Sequence, residues 1–255
     1  MIKVIVCGAL GRMGGAVAGE IALEDGLELA GAVEAPGHAG IGTVVSGVTV
    51  TGSLETVAGT GDVVVDFTSP AAALEAMERC AAAGNPFITG TTGLTPGQIE
   101  KAETFASSIP LLISPNMSLG VNLIFKLVRD AAAALPDFDA EVVEIHHNRK
   151  KDSPSGTAAR IADVLMSVRS GSTVVHGREG MAGPRTPAEI GMHSLRGGDV
   201  VGEHTVVFAG EGERLELTHR AHSRRTFARG AIRAIRFIHG REPGLYSMDD
   251  VLGLR

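Results

Sequence analysis

Tryptophan is absent from the 255 residues, tyrosine occurs once, and aromatic residues make up 4%. Platforms for stacking nucleic-acid bases are therefore scarce. A basic surplus is missing too, since the net charge is −6. A phosphate backbone needs such a surplus, so nucleic acid is not an expected partner. Cysteine occurs only at Cys7 and Cys80, in neither a CxxC nor a disulfide-like pattern, which points to a reducing compartment. No set of residues stands at metal-ligand spacing, so no metal is expected. No apolar run approaches the roughly 20 residues of a membrane span. The opening MIKVIVCGAL is too short and too early for a secretory leader. Together these absences predict a cytoplasmic protein with no membrane partner. A 44% hydrophobic content allows one large core or two modest ones.

What is present divides into two rhythms. In the first, short β-branched runs alternate with helical patterns. Strands are predicted at 2–7, 27–33, 62–67, 86–89 and 111–114, with helices at 12–23 and 70–83. The valine run 63–65 suits a parallel strand covered on both faces. This order predicts βαβ units and a doubly wound parallel sheet. After about Met117 the rhythm changes. A helix over 122–135 leads into an alternating strand at 140–147, then an amphipathic helix at 157–168. Three strands follow at 191–196, 200–209 and 214–220, separated by Gly197-Gly198-Asp199 and Glu211-Gly212-Glu213. Those turn signals predict an antiparallel meander. A last helix at 226–238 is expected to pack back on the first part. The predicted organisation is a dinucleotide-binding domain, 1–117 with 224–255, and a smaller α+β domain, 118–223, with a mostly antiparallel open sheet. Two crossings between them would make a hinge. The segment 173–189 reads as loop.

Gly8-Ala9-Leu10-Gly11-Arg12-Met13-Gly14 follows the first strand and opens the first helix. It is GxxGxxG, a variant of the dinucleotide fingerprint. Glycines let backbone approach a pyrophosphate, and the helix N-terminus adds N–H donors. Arg12 can add a charge-assisted contact. Glu34, 20 residues past Gly14, ends the second strand, where an acid binds adenine-ribose hydroxyls. Ala35 follows it, with no obvious cation for a 2′-phosphate other than His38 or Arg12, so NADH is favoured over NADPH. Gly90-Thr91-Thr92 and Ser114-Pro115-Asn116-Met117 also follow strand ends, where ligands of open α/β sheets bind.

The other dense stretch is EIHHNRKKDSPSGTA, 144–158. The chain has nine histidines and five lysines, yet two of each stand within 146–151. On the strand at 140–147, Val142, Glu144 and His146 share one face. Asp152 or Ser153 is expected to cap the next helix, with Pro154 at its first position. The N–H groups of Ser155, Gly156 and Thr157 would then meet an anion. The segment reads as a carboxylate cradle beside an imidazole, which titrates near neutral pH, and an ammonium. A solvated basic loop is the plainer alternative for HHNRKK alone.

His146-His147-x-x-Lys150-x-Asp152-x-Pro154-Ser155-Gly156-Thr157-Ala158 resembles the substrate motif of the 4-hydroxy-tetrahydrodipicolinate reductase (dihydrodipicolinate reductase) family. The resemblance extends through Gly8–Gly14, Asp66-Phe67-Thr68, Gly90–Gly93, Asn116–Asn122, Gly197–Asp199, Gly202–Thr205 and Thr226–Ala228. It implies a Rossmann-like N-terminal domain and reduction of a small cyclic dicarboxylate by NADH or NADPH, with loss of water, in lysine and diaminopimelate biosynthesis. His146 then corresponds to a proton donor or acceptor and Lys150 to a proton donor. His147, Ser155, Gly156 and Thr157 correspond to substrate ligands. Gly8 to Met13, Glu34, Gly90 to Thr92 and Ser114 to Met117 correspond to cofactor contacts. A homotetramer through the second-domain sheet is also implied. Two alternatives are another two-domain NAD-dependent dehydrogenase, of a sugar or semialdehyde, and a non-catalytic dinucleotide sensor. Neither needs His and Lys paired beside a helix start.

Overall fold

The computed structural model describes residues 1–254. In chain order it runs β1 (Ile2–Cys7), α1 (Arg12–Ile21), β2 (Leu27–Val33), β3 (Val44–Val45), β4 (Val48–Thr51), β5 (Val63–Asp66), α2 (Pro70–Ala83), β6 (Phe87–Thr89), α3 (Pro96–Phe105) and β7 (Pro110–Ile113). It continues with α4 (Leu119–Ala134), β8 (Asp139–His146), α5 (Gly156–Val168), β9 (Thr173–His176), β10 (Glu189–Arg196), β11 (Gly202–Gly210), β12 (Glu213–Ala221), α6 (Arg225–Ile238), β13 (Gly244–Tyr246) and α7 (Met248–Leu252). Two compact units result, Met1–Leu119 with the chain from Arg225 onward, and Gly120–Arg224.

The first unit holds an eight-stranded sheet in the order β13-β7-β6-β5-β1-β2-β4-β3. Every pairing is parallel except the β3–β4 hairpin. Its continuous apolar strands feed two cores because successive side chains point to opposite faces. Val4, Val6, Val63 and Val65 pack with Val17 and Ile21 of α1. Ile5, Cys7 and Val64 pack with Met77 and Cys80 of α2 on the other face. α6 adds Ala231 and Ile235 to the first of these cores, and Arg225 of α6 donates to Glu20 of α1 at 2.6 Å. The sheet is doubly wound, as the alternation of strands and helices predicts.

The second unit holds a five-stranded sheet in the order β12-β11-β8-β10-β9. α4 and α5 cover one face, with Ile124, Val128, Ile161 and Leu165 packed on Val142, Met192 and Phe208. Burying each such side chain contributes about 1.5–3 kcal/mol. The predicted meander is not formed. β8 lies between β10 and β11, pairing parallel to β10 and antiparallel to β11. The turn Gly197–Asp199 does not close a hairpin, because it is held by the end of β8. Gly197 N–H donates to the His146 carbonyl at 2.9 Å and Asn148 N–H to the Gly198 carbonyl at 3.2 Å. Antiparallel pairing still predominates by length, since β11 pairs along all of itself with β12, while β9 meets β10 over its four residues only. The segment expected as loop contains that edge strand, β9.

Candidate active site

The first unit carries two cavities beyond the carboxyl ends of its strands. One, of about 660 Å³, is lined by Gly8, Gly11, Glu34, Ser53, Glu75 and Arg79, among others. The other, of about 410 Å³, is lined by Arg12, Met13, Gly90, Thr91, Thr92 and Ser114, with Pro115, Met117 and Phe227. Only glycine can make the turn that serves them. Gly8 has φ +76°, and a Cβ there would lie 2.5 Å from the Phe67 carbonyl oxygen. A Cβ on Gly14 would lie 2.0 Å from the Gly8 oxygen. The helix start is thus pressed against the turn. Gly11, the N-cap of α1, offers no side-chain cap.

Three expected cofactor residues line neither cavity. Ala9 is buried in the core, and its N–H donates to the Val33 carbonyl. Leu10 donates its N–H to Glu34 Oε1 at 2.8 Å. Asn116 Oδ1 accepts from the Ser118 N–H at 2.9 Å. Glu34 also takes the Ala35 N–H on Oε2 at 3.3 Å. The turn and the acid are therefore coupled directly, a link that spacing alone did not reveal.

On the wall of the larger cavity sits Asp66, fully buried at the end of β5. Its carboxylate accepts from Thr68 at 2.5 Å, Thr89 at 2.8 Å and Thr91 at 2.7 Å. Burial raises its pKa, against the lowering effect of those hydroxyls. Phe67 lies over Gly90, where a Cβ would fall 2.1 Å from the ring.

In the second unit the buried face of β8 presents Val142, Glu144 and His146. Glu144 is 0% exposed, so its charge must be met. Arg196 of β10 grips it with two 2.9 Å hydrogen bonds. Its Oε2 lies 2.6 Å from His146 Nδ1, and its Oε1 accepts the Ser155 N–H at 3.2 Å. Burial opposes the carboxylate, but Arg196 and His146 outweigh it and bring the pKa down to about 2. Burial lowers the His146 pKa and Glu144 pulls it back up, while Lys150 and Arg196 lower it.

The cap of α5 differs from the sequence expectation. Ser155, not Asp152 or Ser153, is the N-cap, and its hydroxyl accepts from Ala158 N–H at 3.2 Å. Pro154 therefore precedes the helix, which starts at Gly156. The Ser155 N–H is not open to an anion, because Glu144 takes it. Gly156 stands exposed and Thr157 half-buried in the first turn. Ser155 Oγ lies 2.9 Å from His204 Nε2, and the rings of His204 and His146 meet edge to face at 5.2 Å. Burial first, then the neighbouring His146, pushes the His204 pKa down to about 4. Lys150 Nζ donates to Asp152 at 2.8 Å, and its N–H donates to the His147 carbonyl at 3.1 Å. His147 is anchored by its own N–H to the Val200 carbonyl at 2.7 Å. Its buried Nδ1 has no partner among the described residues.

His146 and Ser155 are thus tied together through Glu144 and His204. Sequence reading missed Glu144, Arg196 and His204 as members of this cluster. Glu144 left a signal, a carboxylate on the apolar face of its strand. His204 lies in the resembling segment Gly202–Thr205, which gave it no role, and Arg196 left no signal, because both arrive from strands some 50 residues away.

Fold and cavities define the class: a Rossmann-type dinucleotide-binding α/β unit joined to a second unit built on a five-stranded sheet. The family model of the dihydrodipicolinate reductase N-terminus matches residues 2–117, and that of the C-terminus matches 120–252. The chain is 48% identical to the 4-hydroxy-tetrahydrodipicolinate reductase of Citrifermentans bemidjiense over the full length of both proteins. It is 50% identical to that of an Anaeromyxobacter species, over 100% of this chain and 99% of the other. A dipicolinate-bound dihydrodipicolinate reductase from Paenisporosarcina sp. TG-14 superposes with TM-score 0.81 at 27% identity, covering 98% of each chain. An amine dehydrogenase from Mycobacterium smegmatis, at 16% identity and TM-score 0.60, shares the fold alone. The protein belongs to the dihydrodipicolinate reductase family.

Proposed function

We propose that the protein reduces 4-hydroxy-tetrahydrodipicolinate to tetrahydrodipicolinate, using NADH or NADPH, within lysine and diaminopimelate biosynthesis. One hydride and one proton are added and one water leaves. The observation that carries this reading is the match of both halves to one reductase family over 2–117 and 120–252. The residues fit the cofactor, since a turn that only glycine can make lies beside two cavities at the strand ends. Gly8, Gly11 and Glu34 would hold its adenosine side. Arg12, Met13, Gly90, Thr91, Thr92, Ser114, Pro115 and Met117 would hold its nicotinamide side. Ala9, Leu10 and Asn116 would act through backbone and turn geometry. The reduced nicotinamide, when bound, supplies the hydride.

The second unit does the rest in this reading. The first turn of α5, with Gly156 and Thr157, receives a substrate carboxylate, and His147 adds a polar contact. Ser155 shapes that turn as its cap. His146 holds a proton at Nε2, and Lys150 both attracts the dianion and donates a proton. NADH is the favoured cofactor. Glu34, Glu55 and Glu75 line the larger cavity. Arg79, the one Lys or Arg on that wall among the described residues, is paired with Glu55. A 2′-phosphate would meet repulsion there. The open face of the second sheet carries Val143, Ile145 and Val207 half-buried and Leu195 exposed. Such a face suits assembly into a homotetramer, which sedimentation velocity would test. A monomer at assay concentration would refute that assembly.

The test of function follows NADH and NADPH oxidation with substrate generated by the upstream synthase from pyruvate and aspartate semialdehyde. Oxidation is expected with both, faster with NADH at equal concentration. No oxidation with either would remove the assignment.

A further inference from the structure

The buried carboxylate of Glu144 is larger in its effects than a strand residue needs to be. It accepts from at least four donors on three segments, among them the two ends of Arg196, His146 Nδ1 and the Ser155 N–H. A fully buried anion persists only when paired and hydrogen-bonded, so the site has been built around keeping it charged. An ionised carboxylate can only accept. The 2.6 Å contact to His146 therefore requires a hydrogen on Nδ1, and this fixes the tautomer of the neutral ring. The other ring nitrogen, Nε2, faces Gly202, where a Cβ would stand 2.9 Å away. A side chain at Gly202 would press on that nitrogen.

We propose that Glu144 is a positioning residue that, clamped by Arg196 and the Ser155 amide, holds His146 in the Nδ1–H tautomer and leaves Nε2 as the atom that exchanges the proton. This rests on the reading of His146 as a proton donor and deepens it. The charged and titratable groups around His146 are Glu144 on its own strand, Lys150 after it, Arg196 on β10 and His204 on β11. Of these Glu144 alone favours the protonated ring, while burial, Lys150 and Arg196 disfavour it. Glu144 thus does two things: it orients the imidazole, and it keeps the ring able to carry a proton inside a cationic cluster. Removing its charge lowers the His146 pKa further. Turnover that needs the protonated ring is then lost at lower pH than in the wild type.

The experiment combines ring-nitrogen NMR of the full-length protein with steady-state kinetics on the wild type, Glu144→Gln, Glu144→Asp and His146→Gln. In the wild type the neutral His146 ring is expected as Nδ1–H. In Glu144→Gln we expect a mixture of tautomers and a fall in kcat on the order of 10²-fold. KM for substrate and NADH affinity should change little, and the alkaline limb of kcat should move to lower pH. Glu144→Asp, which keeps the charge, should recover part of the kcat and of the limb. A wild-type ring found as Nε2–H overturns the proposal even if Glu144→Gln does not fold. So does Glu144→Gln with unaltered kcat and pH limb. Full turnover in His146→Gln would instead overturn the reading of His146 as the proton donor, whatever the tautomer.

Discussion

Two helices of this protein begin beside expected ligand positions, and they begin in opposite ways. α1 starts at a bare backbone. Its N-cap Gly11 has no side-chain cap, and no acidic residue stands in its first turn. α5 starts inside a network, with Ser155 capping Ala158, Glu144 on the Ser155 N–H and His204 on the Ser155 hydroxyl. A pyrophosphate asks only for amides and close approach, and glycine supplies both. Proton transfer asks for a fixed tautomer and a controlled charge, and that takes several side chains. In the proposed reading the first helix start is a surface for contact, the second a device for holding a proton. Their failures should differ accordingly.

The largest expected effect on cofactor binding lies at the bare turn. Gly14→Ala places a Cβ 2.0 Å from the Gly8 oxygen, and overpacking of this kind costs about 1–3 kcal/mol. NADH affinity, measured by calorimetric titration, should fall about 10–100-fold. The NMR signature of His146 should be unchanged. A change in both would mean that the two starts are not independent.

Acid should separate the units next. The His204 pKa is depressed on folding to about 4 from 6.5. Its contribution is therefore present above about pH 6.5 and lost as pH falls toward 4, on the order of 3 kcal/mol. Glu144, depressed to about 2 from 4.5, acts in the same direction at still lower pH. Asp66 in the first unit is raised on folding, so its contribution grows as pH falls and is lost as pH rises. Hydrogen exchange between pH 7 and pH 5 should show the second unit losing protection before the first. The reverse order would break the comparison.

The smallest expected effect is at the cofactor's adenosine end. Ala35→Arg adds the missing cation after Glu34. The NADPH to NADH ratio of kcat/KM should rise about fivefold, the scale of one exposed charge pair. No change would place 2′-phosphate discrimination elsewhere.

Most of the first unit was readable because its signals are local. β2 coincides with the predicted 27–33, and residues of the glycine turn and strand-end loops, with Glu34, border the cavities at the strand ends. Several unread elements left signals as well. Ser46-Gly47 between valine runs marks the β3–β4 hairpin. Thr95 with Gln98 is a capping box that announces α3. The second unit was harder for a physical reason. Its sheet inserts β8 between β10 and β11, a non-local choice that no turn signal encodes. The same insertion delivers Arg196 and His204 to Glu144 from opposite sides. The motif at 146–158 pointed to a candidate site, while Arg196 and His204, which close around it, come from later strands.

The central claim is that cofactor binding and proton delivery belong to different units. The most direct test is to measure NADH affinity and kcat together in Lys150→Ala. The account predicts kcat reduced about 10²-fold or more, with NADH affinity within about twofold of wild type. A collapse of NADH affinity with kcat preserved at saturation would contradict it.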